Sequence, residues 1–372
     1  MKKQLNYNRY QRQMLLPELG VTGQKKLLNA KVLVIGAGGL GCPALQYLAA
    51  AGVGTIGVVD GDKVDESNLH RQILYNDSDL GKYKSQNINL KLTNLNPDCC
   101  VVSYKQMINS ENALSIIAEY DIVVDGSDNY PTRYLVNDAC VILKKPLVYG
   151  AVLQFEGQVG VFNLVDKETD VQVSYRDLFP KPPHPSEVNN CAESGVIGVL
   201  PGIIGTMQAA EAIKIITGIG KPLCNKVLIY NLKNASFYDF EIRPNLAKGV
   251  FPQTASDFYK FDYEWFCSGE VINGEISIAS FEELLFAEEL TIIDVREKHE
   301  LPILEGLQYI SVPMSEWETR KTEFISNKKV VVVCQSGTRS LKVVHKIKED
   351  HPSRGIFSLH GGVNAWIKTK VV

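Results

Sequence analysis

An α/β fold is predicted, with a doubly wound, mainly parallel sheet followed by a second and smaller α/β domain. Three observations support this prediction. Short apolar runs alternate with segments of helical periodicity over about the first 245 residues, which is typical of a doubly wound sheet. The alternation loosens from about residue 247 and resumes from about residue 275. A chain of 372 residues is also long for one core, so two domains are expected.

The first predicted elements are a strand, a glycine turn, a helix and a second strand. Lys31–Ile35 is a nearly continuous apolar run, as expected of a strand that is buried on both faces of a parallel sheet. Pro43–Ala51 has helical spacing, and Gly52 after it favours a helix end. The next strand is Thr55–Asp60. Further strands are predicted over 100–104, 121–125 and 146–150, helices near 83–95, 110–119, 131–143 and 205–218, and a hairpin over 226–245.

The loosened segment sets the predicted domain limits. We predict a first domain over residues 1–247, a linker over 248–274 and a second domain over 275–372. The linker contains several aromatic residues, which indicates that part of it docks on a domain surface. A flexible chain of that length would span about 30 Å.

Composition and charge exclude several classes of function. A net charge of −3 argues against nucleic acid as a partner, because nucleic-acid binders usually carry a basic patch. No apolar run approaches a membrane span, and the N-terminal segment has no apolar core of a secretory signal, so a cytosolic protein without a membrane partner is expected. The eight cysteines and six histidines are dispersed, without a CxxC pair or an HExxH motif, and do not suggest a metal held by the protein alone.

A phosphate-binding turn is predicted between the first strand and its helix. Gly36, Gly38 and Gly41 form the pattern GxGxxG in that context. Such glycines allow a tight turn, and N–H groups at the start of the helix then face a phosphate. Asp60 ends the second strand, where a carboxylate can bind ribose hydroxyls. This Rossmann-like pattern alone would suggest an NAD-dependent oxidoreductase.

Cationic side chains near the predicted turn favour a different reaction. Arg12, Arg71, Lys84 and Arg133 are expected in one nucleotide site. Hydride transfer does not need four cations around the phosphates. Attack of a carboxylate on an α-phosphate does, because negative charge develops on phosphorus and on the departing pyrophosphate. Asp128 follows the strand over 121–125 and could hold Mg²⁺ through a carboxylate oxygen.

At "RYQRQ", "SNLHRQ", "GKYK" and "GSDNYPTRYLVND" the chain resembles the MoeB/ThiF family, relatives of ubiquitin-activating enzymes, over residues about 5–245. The resemblance implies ATP- and Mg²⁺-dependent adenylation of the C-terminal Gly-Gly carboxylate of a small ubiquitin-like sulfur carrier of the MoaD/ThiS type. It implies that Arg12 reaches into the partner's site of a homodimer and that Asp128 positions magnesium. The nucleotide-binding set that it implies is Gly36, Gly38, Gly39, Gly41, Asp60, Asp62, Asn68, Arg71, Gln72, Lys84, Asp128 and Asn129.

Two further features are interpreted through this resemblance. "NNCAESGVIGVLPGIIG" places Cys191 where several members of the family bond covalently to the activated carrier, although a single buried cysteine is more often an inert apolar residue. Most relatives also hold a structural zinc with two CxxC pairs. Here the first pair is replaced by Ser174 and Asp177 in "SYRD", and "NLAKG" contains no cysteine, so no zinc site is predicted.

A second chemical site is predicted at "VVVCQSGTRSL", residues 331–341, where Cys334 looks like an exposed thiol. It lies between a strand and a helix, and a helix N-terminus with a nearby arginine favours a nucleophilic thiolate. Four residues separate Cys334 from Arg339, whereas tyrosine phosphatases have five. With "IIDVRE" and "LHGGVNAW" around this loop, residues about 275–372 resemble a rhodanese domain. The resemblance implies a persulfide on Cys334 and a loop closed by Arg339, with a degenerate, merely packed thiol as the alternative.

Together the two resemblances predict one enzyme that adenylates a sulfur carrier and then supplies sulfur from a Cys334 persulfide, leaving a thiocarboxylate. The expected sulfur donor is a cysteine desulfurase or a small sulfur compound. The predicted catalytic residues are Cys334, Cys191, Asp128, Arg12, Arg71, Lys84 and Arg339. An activating enzyme for a peptide or ubiquitin-like modifier, a binding scaffold and an NAD-dependent oxidoreductase stay open as alternatives, and so does the pathway that receives the sulfur.

Overall fold

The structure is a computed structural model, and it describes residues 5–183, 195–245, 251–267, 274–286, 290–302, 304, 306–325, 328–351 and 355–370. These residues form two compact units, whose boundary in the sequence lies between Tyr263 and Glu264. Cys191 lies outside the described residues, as does most of the "NLAKG" segment.

The first unit is built on one eight-stranded sheet. Its strands are β1 (Lys31–Ile35), β2 (Thr55–Val59), β3 (Cys100–Tyr104), β4 (Ile122–Asp125), β5 (Leu147–Leu153), β6 (Glu156–Phe162), β7 (Lys226–Asn231) and β8 (Ser236–Glu241). Their order is β3-β2-β1-β4-β5-β6-β7-β8, with β1 to β5 parallel and β6 to β8 added as antiparallel strands. The strand order reverses between β1 and β4, and doubly wound sheets bind ligands at the carboxyl ends there. The predicted fold class is confirmed.

Helices cover this sheet. They are α1 (Tyr7–Met14), α2 (Gly20–Asn29), α3 (Gly41–Ala51), α4 (Lys84–Leu95), α5 (Ala113–Ala118), α6 (Tyr130–Leu143), α7 (Tyr175–Leu178), α8 (Val199–Thr217) and α9 (Ala255–Lys260). Leu45 and Leu48 of α3 are fully buried and pack in one cluster with Val32 and Val34 of β1. Leu33 and Ile35 on the opposite face are buried as well, so the apolar run of β1 exists because both of its faces are covered.

By length and composition α8 could cross a membrane, so the expectation that no segment approaches such a span was wrong on that point. Its position explains its composition. Nε2 of the buried Gln208 donates to the carbonyl oxygen of Asp125 (2.6 Å), and Oε2 of the buried Glu211 accepts from the N–H of Leu223 (2.9 Å). Nine of its nineteen residues are buried, so the helix packs against the first unit with only part of its surface.

Part of the segment that the sequence analysis assigned to a linker packs on the first unit. Phe258 of α9 is fully buried, and the hydroxyl of Tyr263 donates to Oδ2 of Asp138 (3.0 Å). Asp138 also forms a fully buried ion pair with Arg176, whose guanidinium faces the ring of Phe251. Burial raises the pKa of Asp138, and the bonds from Arg176 and Tyr263 oppose this shift. The limits of the two domains remain a prediction.

The second unit has a five-stranded parallel sheet. Its strands are β9 (Glu275–Ile276), β10 (Leu290–Asp294), β11 (Ile310–Ser311), β12 (Lys329–Val333) and β13 (Ile356–Leu359), in the order β11-β10-β12-β13-β9. Its helices are α11 (Ile278–Phe286), α12 (Thr338–Asp350) and α13 (Gly362–Lys370), and α10 (Tyr263–Cys267) lies at the boundary between the units. Val330 and Val332 of β12 belong to one apolar cluster, and Val331 and Val333 belong to another. This central strand is apolar throughout because it contributes to two cores.

Candidate active sites

The glycine turn between β1 and α3 has the tight geometry that the sequence predicts. Gly36 has φ of +85°, and a Cβ atom there would lie 2.9 Å from the carbonyl oxygen of Gly126. A Cβ atom on Gly41 would lie 2.0 Å from the carbonyl oxygen of Gly36. Glycine is therefore required at both positions for steric reasons. The N–H groups of Gly38 and Gly39 have no acceptor among the described residues and are available to a ligand.

A cavity of about 500 Å³ opens at the carboxyl ends of β1, β2 and β4. This volume lies within the usual range of small-molecule sites. Most of the predicted nucleotide-binding residues line it: Gly36, Gly38, Gly39, Asp60, Asp62, Arg71, Gln72, Lys84, Asp128 and Asn129. Gly41, Asn68 and Arg12 are not among its lining residues. Gly41 shapes the turn, whereas the exposed Arg12 lies on α1.

Asp60 is buried at the end of β2. Its Oδ2 accepts from the N–H of Ala37 and its Oδ1 from the N–H of Asp62, both at 2.8 Å. Burial raises the pKa of the Asp60 carboxyl, while these two donors and the charge of Lys84 oppose the shift. Asp60 therefore fixes the glycine turn, and each oxygen keeps a lone pair for a ligand hydroxyl.

The cations of the cavity are held by short local contacts. Lys84, the buried first residue of α4, places Nζ 3.1 Å from Oδ2 of Asp62. Nη1 of Arg71 donates to the carbonyl oxygen of Ser67 (3.0 Å). Arg133 lies behind the lining, where Nη2 donates to the carbonyl oxygen of Ser127 (3.3 Å). Of the four cations that the sequence assigns to one site, Arg71 and Lys84 line the cavity of this chain, and Arg12 and Arg133 do not.

Asp128 stands apart from the other acids of this region. Its side chain is exposed at the cavity and has no hydrogen bond or ion pair to any described residue. Asp125 before it is buried, accepts from the N–H of Ser127 (2.9 Å), and has a pKa that burial raises. Asn129 after it caps α6 through the N–H of Thr132. Asp128 is thus the carboxylate that is free to hold a cation.

Two buried polar atoms at the cavity also lack partners among the described residues. These atoms are Oε1 of Gln72 and Oγ of Ser127. Buried polar groups usually have partners, so a ligand is expected to supply them. Sequence reasoning missed Ser127, and it also missed Met107 and Ile108, which line the cavity after β3. These three residues follow the carboxyl ends of strands, and this position could have indicated that they line a site. Serine, methionine and isoleucine, however, are not characteristic of a nucleotide site.

In the second unit, Cys334 follows β12 directly and is completely buried, so its expected exposure was wrong. Gly361 and Gly362 close the loop from the other side, since the N–H of Val363 donates to the carbonyl oxygen of Cys334 (2.9 Å). The Sγ atom accepts from the N–H and Oγ of Ser340, at 3.4 and 3.3 Å. The thiol lies on the floor of the loop, at the start of α12.

Arg339 does not stand free in this loop. Its Nη1 and Nη2 donate to the two carboxylate oxygens of Glu300, at 2.5 and 2.6 Å. This guanidinium lowers the pKa of Glu300 to about 2. Arg296 and Asp294 form a buried ion pair, and Nη1 of Arg296 also donates to Oε1 of Gln335 in the loop (3.3 Å). Sequence reasoning missed Glu300, which carries no motif of its own.

A family model described as the ThiF family matches residues 10–249 of this sequence. The chain belongs to the ThiF family. A second model, described as a rhodanese-like domain, matches residues 277–369. Together the two matches cover both described units and the two motifs on which the sequence analysis was based.

Relatives of this ThiF-family chain are enzymes by name. The "Sulfur carrier protein adenylyltransferase" of Thermus thermophilus is 52% identical over 260 residues, which cover 70% of this chain and 96% of that protein. The "Probable adenylyltransferase/sulfurtransferase MoeZ" of Mycobacterium tuberculosis is 40% identical over 371 residues, 97% of this chain and 92% of that one. The "Adenylyltransferase and sulfurtransferase MOCS3" of Drosophila yakuba is 38% identical over 379 residues, 96% and 82% of the two chains.

Solved structures of the same fold include a crystal structure of E. coli MccB with MccA-N7isoASN. It has a TM-score of 0.56 and 25% identity, and the match covers 66% of this chain and 74% of that chain. The comparisons confirm the predicted adenylyltransferase and sulfurtransferase activities, and they decide against an NAD-dependent oxidoreductase. Use of ATP follows from the family.

At the positions where the resemblance would place the cysteine ligands of zinc, hydrogen bonds join the described residues. Ser174 donates from its N–H and Oγ to Oδ2 of Asp177, at 2.7 and 2.9 Å. The other oxygen of Asp177 accepts from the N–H of Asn245 (2.7 Å). No group of three or more His, Cys, Asp or Glu that could hold a metal occurs in the described part of the chain.

Proposed function

We propose that the first unit adenylates the C-terminal Gly-Gly carboxylate of a small ubiquitin-like sulfur carrier with Mg·ATP, and that Cys334 of the second unit supplies sulfur to it as a persulfide. The observation that carries this proposal is the combination, in one chain, of a nucleotide-sized cavity with an unpaired Asp128 carboxylate and a thiol loop with Cys334 at its floor. The name of the Thermus thermophilus relative supports a sulfur carrier as the substrate.

The residues of the cavity suit attack of a carboxylate on an α-phosphate. The free N–H groups of Gly38 and Gly39 would bind phosphate oxygens at the start of α3, and Asp60 would orient the ribose. Arg71 and Lys84 would stabilise the charge that develops as pyrophosphate leaves. Asp128 fits Mg²⁺, because this ion is usually held by one or two carboxylates together with phosphate oxygens. When bound, the ion would neutralise charge on the phosphates.

In the second step, the outer sulfur of the Cys334 persulfide would attack the carbonyl carbon of the adenylated carrier. AMP leaves with the electron pair of the bond that breaks, and the carrier is joined to Cys334 through an acyl disulfide. A thiol then attacks the Cys334 sulfur, which releases the carrier thiocarboxylate and leaves a mixed disulfide on Cys334. Cys191 stays a predicted acceptor of the activated carrier, and mutation of Cys191 to Ala tests it.

Exchange of labelled pyrophosphate into ATP tests the first step. The wild-type protein should exchange pyrophosphate only when a carrier with a free C-terminal carboxylate is present, because that carboxylate is the nucleophile. The same carrier with an amidated C-terminus is the matched control and should support no exchange. Exchange that is equal with both carriers would contradict the proposal.

Activation of a peptide stays a second candidate function, because the cavity residues that suit attack on an α-phosphate act on a carboxylate and not on the rest of the substrate. A short peptide that supports exchange as well as a folded carrier does would favour this candidate. The Cys334 loop argues for the carrier, because activation of a peptide requires no sulfur.

We also propose a homodimer in which Arg12 completes the partner's site. Arg12 is exposed on α1 and does not line the cavity of its own chain, while Leu15 and Leu16 beside it are more than half exposed. Arg12→Ala and Asp128→Asn should each reduce exchange to a small fraction of the wild-type rate. Coexpression of the two variants should restore about a quarter of the wild-type rate, since half of the dimers would be mixed and would hold one intact site of two. Absence of restoration would contradict the shared site.

We propose further that the protein binds no structural zinc and works in the cytosol. The bonds from Ser174 and Asn245 to Asp177 support the first point, since they join two segments that the metal would otherwise connect. Metal analysis of the purified protein should find far less than one zinc per chain, and stoichiometric zinc would contradict this. Cell fractionation tests the location.

A further inference from the structure

The two arginines at the Cys334 loop are each paired with a carboxylate. Arg339, which belongs to the loop, pairs with Glu300. Arg296, which contacts the loop through Gln335, pairs with Asp294. A cationic side chain binds an anion through free N–H groups, and in Arg339 and Arg296 carboxylates already accept from such groups.

The Glu300–Arg339 pair is fixed from both sides. Oε1 of Glu300 also accepts from the N–H of Glu297 (2.9 Å), so the carboxylate is held independently of Arg339. Both terminal nitrogens of the Arg339 guanidinium donate to Glu300. An arginine uses this pair of nitrogens to bind a carboxylate or a phosphate-like anion, so Glu300 takes the place of such a ligand. The low pKa of Glu300 keeps the carboxylate charged at neutral pH.

Backbone groups provide what remains for an anion in the loop. The N–H groups of Gln335, Ser336 and Gly337 have no acceptor among the described residues, and Gly337 caps α12 without a side-chain bond. The hydroxyl of Ser340, in the first turn of α12, donates to Sγ of Cys334. A few N–H groups suit one negative charge on one sulfur atom, but they do not replace a free arginine for a dianion.

We propose that Glu300 is a specificity-determining residue, which neutralises Arg339 and directs Cys334 to take sulfur from a singly charged persulfide rather than from the thiosulfate dianion. This inference rests on the proposed sulfur-carrying role of Cys334 and names the donor class of that site. It predicts that the donor is an organic persulfide, such as one formed on a cysteine of another protein.

Transfer of sulfur to Cys334 from an organic persulfide and from thiosulfate follows the same chemistry and differs in the leaving group. The Cys334 thiolate attacks the outer sulfur of the donor, a new S–S bond forms, and the old S–S bond breaks. From an organic persulfide the leaving group is a thiolate, and from thiosulfate it is sulfite, which takes the electron pair. No oxidant or reductant is needed in either case, so the charge around the loop decides between the donors.

The test compares two donors, thiosulfate and the persulfide of β-mercaptoethanol, on the full-length protein. Intact-mass spectrometry follows the gain of one sulfur atom on Cys334, and the ratio of the two loading rates is the readout. Glu300→Gln keeps the shape of the side chain and removes its charge. It should raise the ratio of thiosulfate to persulfide loading about fivefold, as expected for a partly exposed ion pair. Glu300→Asp keeps the charge and should lie near the wild type.

Two controls separate this effect from others. Glu323→Gln removes a carboxylate of similar exposure that binds Arg320 in the same unit, and it should leave the ratio unchanged. In an Arg339→Gln background, Glu300→Gln should no longer change the ratio. If Cys334 still loads and Glu300→Gln leaves the ratio unchanged or lowers it, the inference is overturned. An equal rise of the ratio in the wild-type and Arg339→Gln backgrounds would overturn it as well. Failure of both donors to load wild-type Cys334 would overturn the proposed function as well.

Discussion

In the cavity of the first unit, the Asp128 carboxylate and the buried oxygens of Gln72 and Ser127 have no partner among the described residues. Around the thiol of the second unit, Arg339 and Arg296 each bind a carboxylate, and the backbone N–H groups of Gln335, Ser336 and Gly337 have no acceptor among the described residues. The first site is incomplete without a large anion and a cation. The second site is nearly neutral without its substrate. The unpaired Asp128 carboxylate indicates a cation, and the free N–H groups of Gly38 and Gly39 together with Arg71 indicate an anion, so the first site is expected to hold a polyphosphate with its metal ion. The paired arginines of the second site predict a single sulfur atom there instead.

The largest expected effect is that of Cys334→Ala. Sulfur loading from a persulfide donor should be lost completely, because the Sγ atom is the acceptor, while pyrophosphate exchange continues at the wild-type rate. Intact mass after incubation with the donor measures the loading. Cys267→Ala, which removes another thiol near the start of the second unit, is the control and should load normally. A sulfur adduct that survives Cys334→Ala would contradict the assignment.

Asp128→Asn should slow pyrophosphate exchange by about 10²–10³-fold, the size of effect seen when one electrostatic contact to a reacting group is removed. Its melting temperature should stay close to that of the wild type, because the side chain has no partner in the described residues. Asp121→Asn, just before the other end of β4, is the matched control and should exchange normally. Equal rates for the two variants would remove Asp128 from the site.

Asp138→Asn tests an ion pair that has no ligand role. Asp138 and Arg176 are fully buried and joined by two hydrogen bonds of 2.8 and 2.7 Å. Loss of one charge leaves the other buried and unpaired, so the free energy of unfolding of the first unit should fall by about 3–5 kcal/mol. Denaturant unfolding measures this change. A loss below about 1 kcal/mol would mean that the pair is open to water in solution.

The smallest effect is expected for Tyr263→Phe, which removes a single hydroxyl. Its hydrogen bond to Oδ2 of Asp138 should contribute about 1–2 kcal/mol to the stability of the first unit. The exposed Tyr259, changed to Phe, is the control and should have no effect. Equal stability of both variants would show that the segment before Tyr263 is not anchored by this bond.

Features that depend on neighbours in sequence could be predicted. The turn through Gly36 and Gly41 and the positions of Asp60 and Asp128 follow from local spacing at the ends of strands, and the structure places Asp60 and Asp128 at one cavity. The CxxxxR spacing likewise indicates the loop between Cys334 and Arg339. These features are local, so the sequence pattern is sufficient.

Contacts between distant residues could not be predicted. Glu300 and Arg339 are 39 positions apart, and Tyr263 and Asp138 are 125 apart. Nothing in either sequence segment indicates its partner. The neutral loop and the contact of Tyr263 with Asp138 therefore emerged only from the fold, whereas the aromatic residues of the linker had already indicated that part of it docks on a domain surface. The burial of Cys334 was missed for the same reason, because Gly361 and Gly362 close the loop from a later segment.

The central claim is that both sites act on one carrier, and intact-mass spectrometry of the carrier tests it most directly. Candidate proteins that end in Gly-Gly would be incubated with this enzyme, Mg·ATP, a persulfide donor and a thiol. The account predicts that one carrier exchanges one oxygen for sulfur, and that both Cys334→Ala and Asp128→Asn abolish this mass change. An adenylated carrier without a sulfur shift, or a sulfur shift that survives Cys334→Ala, would contradict it.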